Sequence, residues 1–165
     1  AAGEQLQTLD GTDGAGRFDC PHGVFIDHRG AEPELLVADR ANHRVQVFDL
    51  EGVFKRSFGE DFLDSPSAFA VVGDLLVIAD LRAHLVLTDR DDRPAGQIGV
   101  NPGISGQPGW PNALDAAGHP TRTTRLRDGR FNSPHGLAAG ADGSVYVAEW
   151  LIGGRMIKLE RIQAP

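Results

Sequence analysis

A repeated motif organises this chain. The segment at residues 16–23 (GRFDCPHG) returns almost unchanged at residues 129–136 (GRFNSPHG), and each copy leads into two short apolar segments, the second ending in an acid. A weaker copy at residues 63–68 lies between them. Such a repeat predicts a protein built from stacked units of one supersecondary structure.

Each repeat is predicted to hold four short strands separated by turns. The acids that end the second strands, Asp39 and Asp80, are 41 positions apart, which suits the four antiparallel strands of one β-propeller blade. We expect the blades at about residues 20–60, 62–99 and 129–162 of a single domain that spans residues 1–165. The predicted fold class is therefore all-β, with three propeller blades.

The two ends of the chain indicate how a ring would close. Residues 4–9 alternate polar and apolar side chains like a strand, whereas the third unit lacks a fourth strand. Propellers close when an N-terminal strand completes the C-terminal blade, because closure removes free sheet edges. Three blades are too few for a ring, so the chain is predicted to be half of a six-bladed one. Either it is part of a longer chain, or two halves join head to tail as a homodimer.

An insertion interrupts the period between the second and third blades. Residues 100–128 hold several prolines and glycines, so regular structure is not expected there. Long loops in compact domains are usually functional or disordered. Trp110 and Trp150 could wall a ligand, and the arginines of this region could bind a carboxylate or phosphate: Arg122, Arg125, Arg127 and Arg130.

Composition excludes several classes of function. The net charge of -7 argues against a nucleic-acid surface, which needs a basic face. No run approaches the roughly 20 apolar residues of a membrane span, so no membrane partner is expected. The lone Cys20 leaves the cellular compartment open. The chain begins at Ala1 rather than Met, so a removed leader, with a secreted or periplasmic location, is one alternative and a trimmed chain is another.

The first unit resembles NHL repeats, a family of six-bladed β-propellers. The match runs through Pro21, His22 and Gly23 and then through residues 37–48 (VADRANHRVQVF), and it is less complete in the other two units. The resemblance implies the fold and no single activity, since NHL relatives include binding scaffolds and enzymes.

The Pro-His pairs also resemble those of peptidyl-α-hydroxyglycine α-amidating lyase, a propeller enzyme whose zinc is held by histidines on alternate blades. His22 and His135 would lie two blades apart, with Ser67 at the same position of the middle blade. The chain departs from that enzyme because a glycine follows both histidines and no third histidine is in register. The resemblance implies that His22 and His135 are metal ligands.

Topology predicts that the candidate groups share one face of the propeller. The first strand of a blade runs away from the Pro-His turn and the second returns to it, so the acids that end the second strands should lie beside the histidines. Loops at such an edge commonly carry binding groups. Four residues at these turns are the candidates for ligand binding: Arg40, Arg82, Glu149 and Trp150.

Two functions follow from this face. The first is binding of a small molecule, a peptide or a protein partner. The second is metal-dependent lyase or hydrolase chemistry at the channel mouth, with zinc on imidazole ligands or calcium on oxygen ligands as the cofactor. The histidines could instead cap their turns. Whether the chain is an enzyme stays open, and the sequence defines no catalytic residue.

Overall fold

A computed structural model describes residues 3–160 and confirms an all-β fold built from propeller blades. The first blade consists of β1 (Pro21–Asp27), β2 (Glu34–Asp39), β3 (Arg44–Phe48) and β4 (Phe54–Phe58). The second consists of β5 (Pro66–Val72), β6 (Leu75–Asp80), β7 (His84–Thr88) and β8 (Pro94–Ile98). The insertion adds a hairpin, β9 (Ala113–Leu114) with β10 (Pro120–Thr121). The third blade consists of β11 (Pro134–Ala139), β12 (Val145–Glu149) and β13 (Arg155–Leu159).

The strands of each blade are antiparallel and pair in chain order, with the first strand of each blade against the first strand of the next. Short 3₁₀ helices occur at Arg40–Asn42 and Ile104–Gly106, the second inside the insertion that was expected to lack regular structure. Between residues 3 and 160 no helix is long and apolar enough to cross a bilayer.

The hydrophobic core lies between the blades. Alternate residues of β6 face opposite neighbours: Leu76 and Ile78 pack toward the first blade, and Val77 and Ala79 pack toward the third. Both faces of β6 are therefore buried, which explains why its sequence is apolar throughout rather than alternating.

A linker covers the start of each blade. In the first linker, Phe18 packs edge to face on Phe48, with ring centroids 6.1 Å apart. Gln46, the polar residue in the middle of β3, is fully buried beneath the same linker. Its side-chain amide accepts a hydrogen bond from the N–H of Ala15 (3.1 Å) and donates one to the carbonyl of Gly16 (2.7 Å).

Residues 4–9, predicted to be a closing strand, pair with no strand in the described part of the chain. They are mostly exposed, with the side chain of Gln7 against Gly52 of the first blade. A strand needs a partner edge to satisfy its backbone hydrogen bonds, and β13 is two blades away. The closing role of this segment stays a prediction.

Candidate functional site

One edge of the three blades carries every predicted site residue. In each blade the proline that opens the first strand pairs with the acid that ends the second: Pro21 with Asp39, Pro66 with Asp80, and Pro134 with Glu149. The acids therefore end beside the Pro-His turns, as the topology predicts. We call this edge, with the turns that follow the acids, the Pro-His face.

Asp39 is a structural group of this face. Its buried carboxylate accepts hydrogen bonds from the N–H of Asp19 (2.8 Å) and from the side chains of Asn42 (2.9 Å) and Arg44 (2.8 Å). Burial raises the pKa of Asp39, but these hydrogen bonds and one from Gln46 together lower it by more than burial raises it. The pKa of Asp39 therefore lies below its ordinary value. Asp39 locks the linker and the turn to the blade, and no oxygen is left for a ligand.

Glu149, a candidate for ligand binding, occupies the same structural position in the third blade as Asp39 in the first. Its side chain is inaccessible to solvent. The carboxylate accepts hydrogen bonds from the N–H groups of Asn132 and Ser133 and forms an ion pair with Arg155. Asp80 is held in the same way by the N–H groups of Asp64 and Ser65. The side chain of Glu149 is one methylene longer than that of Asp39, but its carboxylate is engaged within the blade in the same way. The position of this carboxylate therefore does not favour ligand binding.

His22 and His135 are brought together. Their rings lie edge to face, with centroids 4.5 Å apart and planes at 83°. Nδ1 of His22 is 2.8 Å from the carbonyl oxygen of Ser67 on the middle blade. Burial lowers the pKa of His135, and the charges of His22 and Arg40 lower it further. His135 is therefore largely neutral at neutral pH.

The middle blade contributes main-chain and hydroxyl groups in place of a histidine. Arg40, at the start of the 3₁₀ turn, donates from Nη2 to Oγ of Ser67 (2.9 Å), and that hydroxyl donates to the carbonyl of Ser65 (3.2 Å). The close approach of the first blade to Ser67 requires Gly23, because a Cβ there would collide with the Ser67 carbonyl oxygen. This contact could not be predicted from the sequence, because its partner is a main-chain carbonyl that no residue type indicates.

Two tryptophans border the Pro-His face. The ring of Trp150 is 55% exposed and lies 5.9 Å from that of His135, centroid to centroid. Trp110, in the insertion, is fixed by a hydrogen bond from Nε1 to the carbonyl of Asn132 (2.9 Å). The guanidinium of Arg82 lies 5.5 Å from the centre of the Trp110 ring. The insertion therefore lies on the Pro-His face, as the connection order predicts.

The arginines of the insertion are divided in role. Arg122 donates to the carbonyls of Ile152 (2.7 Å) and Gly154 (3.0 Å) and so holds the insertion against the third blade. Arg130 donates to the carbonyl of Val100. Arg125 and Arg127 line a polar depression beside Asn101 at the edge of the insertion. Half of this basic run therefore has a structural role.

The histidine pair does not by itself complete a metal site. Zinc in proteins usually has about four ligands, and calcium takes six to eight oxygens. Within residues 3–160 no group of three or more His, Cys, Asp or Glu side chains is arranged to hold a metal ion. The acids that would have supplied oxygens are engaged inside their blades. A metal at this face would need further ligands from outside the described chain.

Comparison with known proteins supports the type of blade. No family model matches this chain. A segment of 79 residues is 39% identical to Protein brain tumor of Drosophila melanogaster, covering 43% of this chain and 7% of that protein. A segment of 40 residues is 51% identical to the B-box type zinc finger protein ncl-1 of Caenorhabditis elegans, covering 24% of this chain and 4% of that protein.

Those matches and the three blades together support an NHL-like β-propeller. Among solved structures, virginiamycin B lyase from Staphylococcus aureus aligns with 87% of this chain and 42% of its own at 10% identity, with a TM-score of 0.47. A catalytically inactive variant of that enzyme with quinupristin aligns at 9% identity over 86% and 55% of the two chains, with a TM-score of 0.42. The resemblance of the Pro-His pairs to the amidating lyase stays a prediction.

Proposed function

We propose that this protein is a binding module whose Pro-His face takes an anionic group of a small-molecule, peptide or protein ligand. The observation that carries the proposal is the division of charge on this face. The carboxylates of Asp39, Asp80 and Glu149 point into their own blades, where backbone N–H groups and arginines use their oxygens. The cations that follow them in sequence are left at the surface.

Arg40 is the central cation. Its half-buried guanidinium is held by Ser67 and has no carboxylate within ion-pair distance in the described chain. Burial lowers the pKa of Arg40, yet an arginine stays protonated in proteins. A fixed guanidinium without an acid partner favours a carboxylate or phosphate that offers two oxygens.

The surrounding groups suit a ligand with an apolar part next to its anionic group. Trp150 offers an exposed ring beside His135, and Arg82 presents a second exposed cation over Trp110. Aromatic and arginine side chains are the residue types that carry most binding energy at protein surfaces. An acidic peptide with an aliphatic or aromatic neighbour fits this arrangement.

Selection from a random peptide library displayed on phage tests the proposal. Selected peptides should be enriched in Asp or Glu, and Arg40→Gln should weaken the best peptide at least tenfold in a fluorescence titration. Arg93 is the matched control, because it lies in the β7–β8 turn at the opposite edge and pairs with Asp91. Peptides without acidic residues, or equal losses from Arg40→Gln and Arg93→Gln, would contradict the proposal.

The second candidate function is metal-dependent lyase or hydrolase chemistry. The 4.5 Å approach of the His22 and His135 rings favours it, because a neutral imidazole such as His135 can act as a metal ligand or a proton acceptor. The remaining ligands would have to come from outside the described chain, so we derive no reaction step from this chain alone.

Metal content separates the two functions. Elemental analysis of the purified protein should give stoichiometric zinc or calcium if the metal function is correct, and His22→Ala combined with His135→Ala should remove it. Metal-free protein that still binds selected acidic peptides would leave only the binding function.

A further inference from the structure

We propose that the insertion carries an anion site of its own, in which Arg125 and Arg127 bind a phosphate monoester with a polar, hydroxyl-bearing body. The site is the depression between residues 101–107 and 124–127, which has a volume of about 530 Å³. Ligand pockets commonly have volumes of about 300–1,000 Å³, so this depression is large enough for a small molecule. It shares no residue with the histidine pair or with the Arg40 site proposed above.

The arginines of the insertion differ in what their guanidinium groups contact. Those of Arg122 and Arg130 donate to main-chain carbonyls, as described above. Those of Arg125 and Arg127 make no hydrogen bond and no ion pair with any residue from 3 to 160. Both side chains are exposed, whereas Leu126 between them is half-buried. The pair therefore presents two positive charges that no described residue neutralises.

The charge of the depression favours a doubly charged anion. None of the described residues that line it is Asp or Glu, although the chain as a whole has a net charge of -7. A phosphate monoester carries a charge of about -1.5 to -2 at pH 7, whereas a carboxylate carries a single charge. Each guanidinium can donate two parallel N–H bonds to phosphate oxygens. Two guanidinium groups in one depression therefore suit a phosphate better than a carboxylate.

The rest of the lining suits a polar body attached to the phosphate. Gln107 donates from Nε2 to the carbonyl of Gly103 (3.4 Å), and its Oε1 accepts no hydrogen bond from a described residue. The hydroxyl of Thr124 also has no partner within residues 3–160. These groups can accept hydrogen bonds from, and donate them to, the hydroxyl groups of a sugar. An acyl chain in the same place would cover them and leave them unpaired, which costs free energy.

Both sides of the depression are fixed to the third blade and its linker. On one side, Nδ2 of Asn101 donates to the carbonyl of Phe131 (2.8 Å), whose ring is buried in the core between the second and third blades. On the other side, Nη1 of Arg155 in β13 donates to the carbonyl of Arg127 (3.1 Å). A site whose backbone is already held in place loses less conformational freedom when a ligand binds.

Titration with glucose 6-phosphate, inorganic phosphate and glucose at low ionic strength tests the site. In ¹H–¹⁵N NMR spectra, glucose 6-phosphate should shift the amide signals of residues 101–107 and 124–127 and should bind more tightly than inorganic phosphate, whereas glucose should shift none. Shifts confined to residues around Arg40 would overturn this site and leave the proposed function standing. Equal affinity for the two phosphates would contradict the polar body, and the absence of any shift would overturn the proposal.

Substitution of the two arginines tests their role. Arg125→Gln and Arg127→Gln should each weaken the binding of glucose 6-phosphate roughly tenfold, because each removes charge-assisted hydrogen bonds to the phosphate. Both side chains are exposed, so circular dichroism should be unchanged. Arg93→Gln is the matched control, since it removes the same charge from an exposed side chain at the opposite edge. An equal loss from Arg93→Gln would mean that only net charge matters, and it would overturn the site.

Discussion

The imidazole rings of His22 and His135 meet edge to face, with centroids 4.5 Å apart, although one blade separates the blades that carry them. Between them, the middle blade has Ser67 at the position of the histidines. Nδ1 of His22 lies within hydrogen-bond distance of the Ser67 carbonyl oxygen, and Arg40 donates a hydrogen bond to the Ser67 hydroxyl. The alternation His, Ser, His is therefore one connected arrangement that couples titratable groups of two blades.

The first prediction concerns the titration of His135. NMR should give it a pKa below the ordinary 6.5, because burial and then the charges of His22 and Arg40 disfavour the imidazolium. His22→Ala should raise this pKa without restoring the ordinary value, since burial remains the largest cause. A His135 pKa at or above 6.5 in the unchanged protein would contradict the assigned environment.

The same shift predicts a pH dependence of stability. The folded pKa of His135 is lower than the unfolded one, so below about pH 6.5 the unfolded state binds more protons. The free energy of unfolding should therefore fall as the pH drops from about 6.5 through the lowered pKa. Urea denaturation across this range should show a shallower fall for His135→Asn. An identical slope for both proteins would exclude His135 as the source.

Two glycines at equivalent positions should respond differently to alanine. Gly23→Ala places a Cβ against the Ser67 carbonyl oxygen, whereas Gly136→Ala meets only the Cβ of Ala148 at 3.5 Å. Overpacking against backbone costs about 1–3 kcal/mol, so Gly23→Ala should lower the free energy of unfolding by about that amount. Gly136→Ala should be tolerated. Thermal denaturation of both variants checks the difference, and equal melting temperatures would disprove the close approach.

Asp39 is expected to be essential for stability. Asp39→Ala removes the acceptor of the Asp19 N–H and of Asn42, and it leaves Arg44 without its acid. Breaking a buried ion pair costs about 3–5 kcal/mol, which is a large part of the stability of a small domain. The exposed Asp61 is the control, and Asp61→Ala should change the free energy of unfolding by at most about 0.5 kcal/mol. Denaturant titration measures both.

A buried arginine ties the first two blades at the edge opposite the Pro-His face. Arg29 pairs with Asp27 (2.8 Å), lies 3.7 Å from Asp92, and donates to the carbonyl of Asp89 (2.9 Å) on the second blade. Arg29→Ala would leave two buried carboxylates without this cation, at a cost of about 3–5 kcal/mol. Because burial raises the pKa of Asp92, the loss should be smaller in acid, where Asp92 is protonated, than near neutral pH. Denaturation at two pH values can show this.

The sequence predicted the strands because two periodicities agreed. Alternation indicated the strands, and the 41 positions between Asp39 and Asp80 indicated the length of a blade. Ligand binding by Glu149 stays a prediction, and the engagement of its carboxylate with main-chain N–H groups and Arg155 could not be predicted from its residue type. The burial of Gln46 was not predictable, because alternation does not reveal the linker that covers it.

The contacts of Arg29 show what sequence patterns cannot give. Its partners at residues 27, 89 and 92 belong to different blades and come together only when the blades stack. The meeting of His22 with His135 depends on the same stacking. Blade-internal features were therefore predictable from periodicity, whereas the contacts that make the candidate site depend on the angle between blades.

The linkers carry a consequence for how such a chain can be rearranged. Residues 10–18 pack on the blade that follows them, through Arg44, Gln46 and Phe48, and the linker that begins at Gly59 packs on the next blade in the same way. A cut at the start of β1 would separate the first blade from the linker that covers it. Cuts near residues 10, 59 and 99 would instead keep each linker with the blade that it covers. Propellers with a different number of blades could therefore be assembled by joining units at these positions.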